Sequence, residues 1–576
     1  MFKKPDKFFF IYFLISVSIF SFIFRDHIIN ISTNLIDWRD YAYVVWVINQ
    51  AINNFKELGS NGIFNGNAFY PNENILLFSD LLWPQTLITT IFKLFSKNII
   101  LQFNLTFFTT ILLNIVSIYL FWKTIFKKKQ SVLFASILTN FSPFFFLQLS
   151  HFQMISYWPF FFALSFLFKN KKTIKETFLI GLFLSIQFYA AVYWSIFLIT
   201  VIGIYYFVKL IKKDQIVDNT KSLILIGMIF IILAGPILFK YLQNQKAYSI
   251  HRNYSEYVEY SAQISDYFFS NSYNSAVSNS KLFKKINSFN NHPGGERAGS
   301  PSVLITFLFL IGIAVIKKNK KEWSINFSIK EKDLFFILLA LIGLIFSLGP
   351  RLSFNGNYLA VPLPFSLALK YLIIFDPIRA TARFSALFYI GAFYFATKGL
   401  ERINKKNNII LISILCLIYL LELLPLNLKS EYNNYYSHPY ALIEKDCSKG
   451  AVLLEYPFDQ NFEEANVITN LKYKASQLTA SVKSTCDLVN GYAGFDPDDY
   501  TNYIATFNKY LNSTDSAKLQ QTIAEKNVSF IKINKKDLSQ ESMKKINNIE
   551  MINNFGKTMF EDNNYLLIET NLNEAK

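Results

Sequence analysis

Apolar stretches of membrane-spanning length alternate with short lysine-rich connections as far as about Leu424, and a polar segment follows. A run over 8–24, behind Lys3, Lys4 and Lys7, is the first apolar stretch. The others lie at 101–122, 132–148, 155–168, 178–191, 194–210, 223–239, 303–316, 334–348, 384–397 and 409–424. A helix of about 20 apolar residues crosses a ~30 Å hydrocarbon core. The connections at 123–129, 169–175, 209–221, 317–332 and 398–406 are lysine-rich, whereas those near 150–156 and 191–194 carry no Lys or Arg. Placing the lysines inside gives eleven spans, a cytoplasmic amino terminus and a polar segment on the outer face. No small-residue cleavage pattern follows the first run, which ends in Phe24, Arg25, Asp26 and His27. It reads as a retained signal anchor.

Two decisions carry this parity. A single helix over 178–207 would be about 45 Å long, too long for the core without strong tilt, so two short spans turning near 189–194 are expected. The stretch 81–95 is apolar but contains Pro84 and Lys93. Crossing there would reverse the lysine pattern, so it reads as an outer-face juxtamembrane or re-entrant segment. The expected outer loops then run over 25–100, 241–302 and 349–383, inside a transmembrane domain at 1–426. Long polar loops on one face of a bundle commonly cover a site. The inner connections are short and hold no Gly-rich phosphate loop, which argues against a cytoplasmic nucleotide site.

Composition supports a bilayer protein. Hydrophobic residues make up 52%, aromatics 18% and charged residues only 17% of 576 residues, and mean hydropathy is +0.25. The net charge of +17 does not point to nucleic acid, because the lysines sit between apolar runs rather than along one basic face. They read as topology signals that also suit anionic lipid headgroups.

The segment 427–576 has strand-like runs at 451–456, 528–533 and 565–569, with helical patterns at 500–511 and 516–526 between them. A small extracytoplasmic α/β domain is expected. Cys447 and Cys486 lie in it, and Cys416 lies in a span. In an oxidising compartment the first two could form a disulfide; two unpaired thiols are the alternative.

The series Asp37-Trp-Arg-Asp40-Tyr, Asn67-Ala-Phe-Tyr-Pro71 and Phe78-Ser-Asp80 resembles the first outer loop of bacterial polytopic proteins related to the GT-C glycosyltransferases. Phe141-Ser-Pro143, Leu149-Ser-His151-Phe-Gln153, Leu348-Gly-Pro-Arg351-Leu, Arg379-Ala-Thr-Ala-Arg383-Phe and Val489-Asn-Gly-Tyr-Ala-Gly-Phe495 follow in the expected order. The resemblance covers most of the chain and implies a class rather than a substrate. Distant members include the protein mannosyltransferases and the lipid A aminoarabinose transferase. It implies a GT-C-like helical membrane enzyme of the bacterial inner membrane. Such an enzyme moves a sugar, with inversion, from a polyprenyl-phosphate donor to a glycan, lipid or protein acceptor at the outer face. The chain departs from those members in lacking a clear paired Asp-Glu motif in the first loop.

Inverting transfer needs a carboxylate to take the acceptor proton and positive charge near the departing phosphate. The resemblance favours Asp37 or Asp40 as the base without choosing between them. Three residues apart, they would share one face of a helix over 41–55. The ordinary alternative makes Asp37 an N-cap and Asp40 a first-turn residue favoured by the helix dipole. Asp80 is the candidate second carboxylate, to orient the acceptor, and otherwise a solvated loop residue. Arg351, Arg379 and Arg383 lie on the outer side against the charge bias. The last two, four apart, would stack on one helical face and suit a donor phosphate; snorkelling toward headgroups is the alternative. His151 and Gln153, at an outer span end, are candidates for binding sugar or phosphate, or for capping and packing.

No Cys or His cluster of metal-site spacing occurs. Asp37, Asp40 and Asp80 could hold a hard divalent cation, Mg or Mn, through oxygen ligands. Two rival classes remain: a transporter or flippase for lipid-linked glycans, and a non-enzymatic envelope assembly protein. Ion-coupled transporters keep ionisable residues near mid-bilayer, and the expected spans are almost free of them; Glu422 lies near an outer end.

Overall fold

The computed structural model describes residues 6–56, 62–169, 172–267, 281, 285, 302–317, 329–354, 357–372, 375–404, 408–425, 428–460, 466–513, 515–547 and 555–571. Most of the expected outer loop 241–302 and of the inner connection 317–332 lies outside them. The chain divides into two compact units. The first joins Met1–Ile29, Phe107–Phe239 and His251–Lys429. The second joins Asn30–Thr106, Lys240–Ile250 and Ser430–Lys576.

Helices dominate the first unit. Across the chain, Ile99–Ile125, Lys129–Leu147, Val192–Ile211 and Ile216–Ala247 are long and apolar enough to cross a bilayer. Lys7–Ile23, Trp158–Leu167, Val303–Ala314 and Ile409–Leu423 are shorter apolar helices. The expected span 132–148 is interrupted: Lys129–Asn140 ends, Ser142 turns extended, and Pro143–Leu147 restarts. Proline disfavours helical geometry at the residue before it, and Ser142 caps the restart by accepting from Phe145 N. The expected span 155–168 begins only at Trp158, with Pro159 in its first turn. Ile174–Ala190 and Val192–Ile211 are parted at Ala191, where the backbone is extended (φ −167°, ψ 115°).

Small residues let the carboxyl-proximal helices meet backbone to backbone. A Cβ on Gly312 would lie 2.0 Å from Phe395 O, and one on Gly399 would lie 2.2 Å from Leu308 O. Helices Val303–Lys317 and Ser385–Ile403 therefore touch where only glycine fits, the device that packs helices in lipid. Ile231 and Ile232 on Ile216–Ala247 are 68% and 71% exposed, a face suited to acyl chains. Charge is confined to helix ends: Asp333 accepts from Tyr394 and Lys398, and Glu401 accepts from Ser131.

The second unit is built on a five-stranded sheet. Its strands are β1 (Val452–Tyr456), β2 (Asp487–Leu488), β3 (Phe530–Asn534), β4 (Gly556–Glu561) and β5 (Tyr565–Thr570), in the order β2-β1-β3-β5-β4. β1 runs parallel to both neighbours; β3–β5 and β5–β4 are antiparallel. The apolar runs read as strands are all present. Leu454, Ile531 and Ile568 pack with Phe507, Leu519 and Ile523 from helices Asp498–Asn512 and Ser516–Glu525. Within the sheet Lys532 Nζ lies 2.9 Å from Glu455 Oε2, the two side chains 4% and 0% exposed.

Residues of the first expected outer loop complete this unit. Tyr70 N donates to Leu488 O at 2.8 Å, Leu488 N to Asn67 O at 2.8 Å, and Phe69 N to Asn490 O at 3.1 Å, extending the pairing beyond β2. Asn67 is a hub: it donates to Cys486 O and accepts from Trp46 Nε1 and Gln50 Nε2. The Phe69 ring fills the space a Cβ on Gly491 would need, 2.3 Å away. The stretch 81–95 forms helix Trp83–Lys93 with an inverted amphipathicity. Gln85, Thr86 and Thr89 are buried, while Leu87, Ile91, Leu94 and Phe95 are 56–81% exposed. A polar inner face and an apolar outer face suit an interfacial helix.

Candidate functional site

Helix Asp40–Lys56 opens the site in the second unit. Asp37 precedes it and is 6% exposed. Its carboxylate is taken by Arg39, whose Nε lies 3.0 Å from both oxygens and whose backbone N donates to Oδ1 at 2.8 Å. Asp37 is thus an ion-pair partner rather than the helix cap, and this pairing, with the carboxylate's charge, raises the Arg39 pKa against the opposing effect of burial. Asp40 is half-buried in the first turn, where the helix dipole favours a carboxylate. Tyr492 OH donates to Asp40 Oδ1 at 3.1 Å. Burial, and then the Asp40 charge, push the Tyr492 phenol well above its usual value.

Tyr43 lies one helical turn after Asp40. Its phenol is raised chiefly by burial, and the charges of Asp80 and Asp40 add to the effect. Its ring packs edge-on against Tyr492 at 5.4 Å. Tyr241 OH donates to Ser79 O at 2.7 Å, beside Asp80. Tyr492 thus contacts Asp40, and Arg39 engages Asp37. Among the described residues no three His, Cys, Asp or Glu side chains gather to hold a metal. The cation site expected at Asp37, Asp40 and Asp80 is not formed by these three, because Asp37 turns onto Arg39 and Asp40 onto Tyr492.

The arginines belong to the first unit. Arg379 and Arg383 do not share an α-helical face. Arg379 sits in irregular backbone after Pro377, and Arg383 lies in the 3₁₀ turn Thr381–Phe384. Proline and the non-helical Ala380 (φ −94°, ψ 87°) keep the helix from starting before Ser385. Each guanidinium instead lies over a tyrosine: Arg379 over Tyr260 at 4.7 Å, Arg383 over Tyr193 at 4.7 Å and Arg351 over Tyr254 at 5.4 Å.

One segment, 254–261, gathers these arginine motifs. Tyr257 OH donates to Asp376 O at 2.8 Å, and Ala382 N donates to Tyr260 O at 3.1 Å. Ser261 Oγ and Thr381 Oγ1 are 2.9 Å apart. Gly349, at φ +70°, leaves room for Ser261 Oγ, which would lie 1.8 Å from a Cβ there. Arg383 is 5% exposed and Arg351 is exposed.

His151 and Gln153 lie in the turn before helix Trp158–Leu167 in the first unit. Trp194 Nε1 donates to Met154 O and Asn114 Nδ2 to Ile155 O, which pins the turn. Gln153 Oε1 is buried without a hydrogen-bond partner, an acceptor suited to a donor from outside the protein. Cys447 and Cys486 of the second unit are joined by a disulfide, tying helix His438–Cys447 to the approach to β2.

The tyrosines are what sequence reasoning missed. Tyr492 lies inside the quoted motif 489–495, and Tyr43 is one helical turn from Asp40. The link of Tyr492 to Asp40 is not readable from the sequence, because the two residues are more than 400 positions apart.

A family model described as a domain of unknown function, DUF6311, matches residues 13–423, more than half of the chain. No curated protein matches it. Among solved structures the chain is similar to the oligosaccharyltransferase of Archaeoglobus fulgidus in its apo form, at 12% identity and TM-score 0.52, over 91% of this chain and 69% of that one. It is similar to the same enzyme tethered to an acceptor peptide containing the NVT sequon, at 10% identity and TM-score 0.50, over 92% and 69%. It is also similar to the arabinofuranosyltransferase AftD from Mycobacteria, at 11% identity and TM-score 0.56, over 93% of this chain but only 36% of that one. At these identities the likeness is one of fold alone: the chain shares the fold of these two transferases.

Proposed function

This chain belongs to the DUF6311 family, and we propose that it is an inverting membrane glycosyltransferase using a polyprenyl-phosphate sugar at the outer face of the bacterial inner membrane. The observation that carries the reading is Asp40. It is a carboxylate at a helix start, oriented by Tyr492 from a distant motif, in a fold shared with two glycosyltransferases. The proposed topology has eleven spans, a cytoplasmic amino terminus and an outer carboxyl-terminal segment. The alternating lysines support it, as does the Cys447–Cys486 disulfide, which suits an oxidising compartment.

In the proposed step a hydroxyl of a glycan, lipid or protein acceptor attacks the anomeric carbon. Its oxygen forms the new bond, its proton passes to the Asp40 carboxylate, and the bond to the donor phosphate oxygen breaks with the electron pair leaving on phosphate. Asp37 is the weaker candidate, since a base must offer a lone pair and Arg39 engages both of its oxygens. Asp80 orients the acceptor. The resemblance implicates Arg351, Arg379 and Arg383 of the first unit in holding a donor phosphate. His151 and Gln153 contribute hydrogen bonds to donor sugar or phosphate.

The test is transfer of labelled sugar from a panel of polyprenyl-phosphate donors, using membranes that contain the chain and matched membranes that lack it. Label entering lipid, glycan or protein only when both chain and donor are present supports the reading. Transfer from nucleotide sugars alone, or from no donor, would sink it.

A further inference from the structure

We propose that the first unit carries a separate anion site, at the lysine-rich end of its helices, that takes the phosphate of an anionic lipid headgroup. A cavity of about 520 Å³ there is lined by Lys123, Lys127, Lys129, Lys169 and Lys332, with Asp6 the one carboxylate in its wall among the described residues. The volume falls within the usual range for small-molecule sites. The five lysines come from three stretches of the chain, three of them from the single connection 123–129. Lys123 ends helix Ile99–Ile125, Lys129 begins Lys129–Asn140, Lys169 follows Trp158–Leu167 and Lys332 opens Glu331–Ser347.

The protein compensates only part of this charge. Lys129 lies 3.2 Å from Asp6, and Lys169 lies 3.0 Å from Glu176. Lys332 Nζ donates to Thr124 O at 3.2 Å, a carbonyl at the negative end of a helix. Lys123 and Lys127 have no ion pair among the described residues. The rule that places lysines on the cytoplasmic side accounts for their sign but not for their convergence. Lys213 and Lys221 lie in another lysine-rich connection, are exposed, and line no part of this cavity. Like charges drawn together at the edge of a low-dielectric region repel, and a multivalent anion between them relieves that cost. The rest of the wall includes Tyr119, Phe126, Val132 and Phe168. A charged mouth with an apolar wall matches a phosphate attached to acyl chains better than a free ion. Basic pockets between membrane helices bind anionic headgroups in this way. The site rests on the membrane reading of these helices but not on sugar transfer, and its readout is binding.

The experiment uses the full-length chain in detergent micelles. Phosphatidylglycerol, phosphatidylcholine or inorganic phosphate is added. Bound lipid is counted by native mass spectrometry, and the thermal midpoint is followed in parallel. Wild type should retain phosphatidylglycerol about tenfold or more tightly than phosphatidylcholine, because the choline ammonium cancels the phosphate charge and phosphatidylglycerol keeps the net negative charge that the lysines attract. K123Q/K127Q should lose that preference, K127Q alone should lose part of it, and K213Q/K221Q should keep it. Stabilisation by millimolar inorganic phosphate, lost in K123Q/K127Q, would support the site and make phosphate alone sufficient. Stabilisation by phosphatidylglycerol only would support the site with the apolar wall contributing. Equal loss in K213Q/K221Q would reduce the effect to diffuse surface charge and overturn the proposal, as would no preference in wild type.

Discussion

Two charged groups in the second unit differ in one respect that separates structure from chemistry. Glu455 and Lys532 are sealed inside the sheet, and Glu455 also accepts from Tyr440 and, at 3.4 Å, from Asn534. Every contact there is internal, so the pair can fix strand register but cannot meet a substrate. Asp40 is half-buried at a helix start, with a neutral tyrosine oxygen as its donor. Asp37, three residues earlier, is closer to the sheet pair in character, because an arginine holds it. A carboxylate locked to a cation is committed to the fold. Asp40, which accepts from a neutral phenol, is the carboxylate we propose as the base.

Removing one partner of the sealed pair should have the largest effect on stability. Lys532→Met leaves Glu455 buried without its cation and should destabilise by about 3–5 kcal/mol. Adding Glu455→Leu should recover most of the loss, because a buried pair replaced by apolar residues is close to neutral. Thermal unfolding of the purified chain measures both, and an unchanged midpoint in the single variant would make the sealed pair dispensable.

A smaller effect, on donor use rather than stability, is expected for Arg383→Gln. A charge-assisted phosphate contact contributes about 1.5–3 kcal/mol, so use of the polyprenyl donor should fall roughly tenfold to a hundredfold. The exposed Arg351 should lose less. Donor titrations with each variant decide this, and undiminished use in Arg383→Gln would assign the arginine to packing on Tyr193.

The smallest effect belongs to Asp37→Asn. Its partner Arg39 is about a third exposed, 32% by side chain, and a pair so open to water contributes roughly 1 kcal/mol or less. Stability and transfer should each change by only a few-fold at most. A loss of transfer comparable with that of an Asp40 variant would reverse the assignment of the two carboxylates.

Local pattern made much of the fold legible. Strands expected at 451–456, 528–533 and 565–569 are Val452–Tyr456, Phe530–Asn534 and Tyr565–Thr570. Apolar runs bounded by turn residues carry their own boundaries. Strand β2 was invisible because two residues hold no period. The pairing of 67–70 with 488–490 was invisible because nothing local encodes a partner more than 400 residues away, although both halves had been noticed as motifs. Arg379 and Arg383 have the spacing of helical neighbours, yet Pro377 and Ala380 delay the helix. Asp37 and Arg39 are two residues apart, a spacing that faces no partner on a helix, and they pair only because that stretch is not helical.

The central claim is that Asp40 is the base, and Asp40→Asn tests it directly. Asparagine keeps the shape and an oxygen that can accept from Tyr492, but cannot take a proton at neutral pH. Sugar transfer from a polyprenyl-phosphate donor is measured for wild type, Asp40→Asn and Asp37→Asn at equal membrane content, with thermal midpoints alongside. The expected result is a loss of about 10²–10⁴ in rate for Asp40→Asn at an unchanged midpoint, with Asp37→Asn near wild type. Transfer by Asp40→Asn at the wild-type rate would contradict the claim.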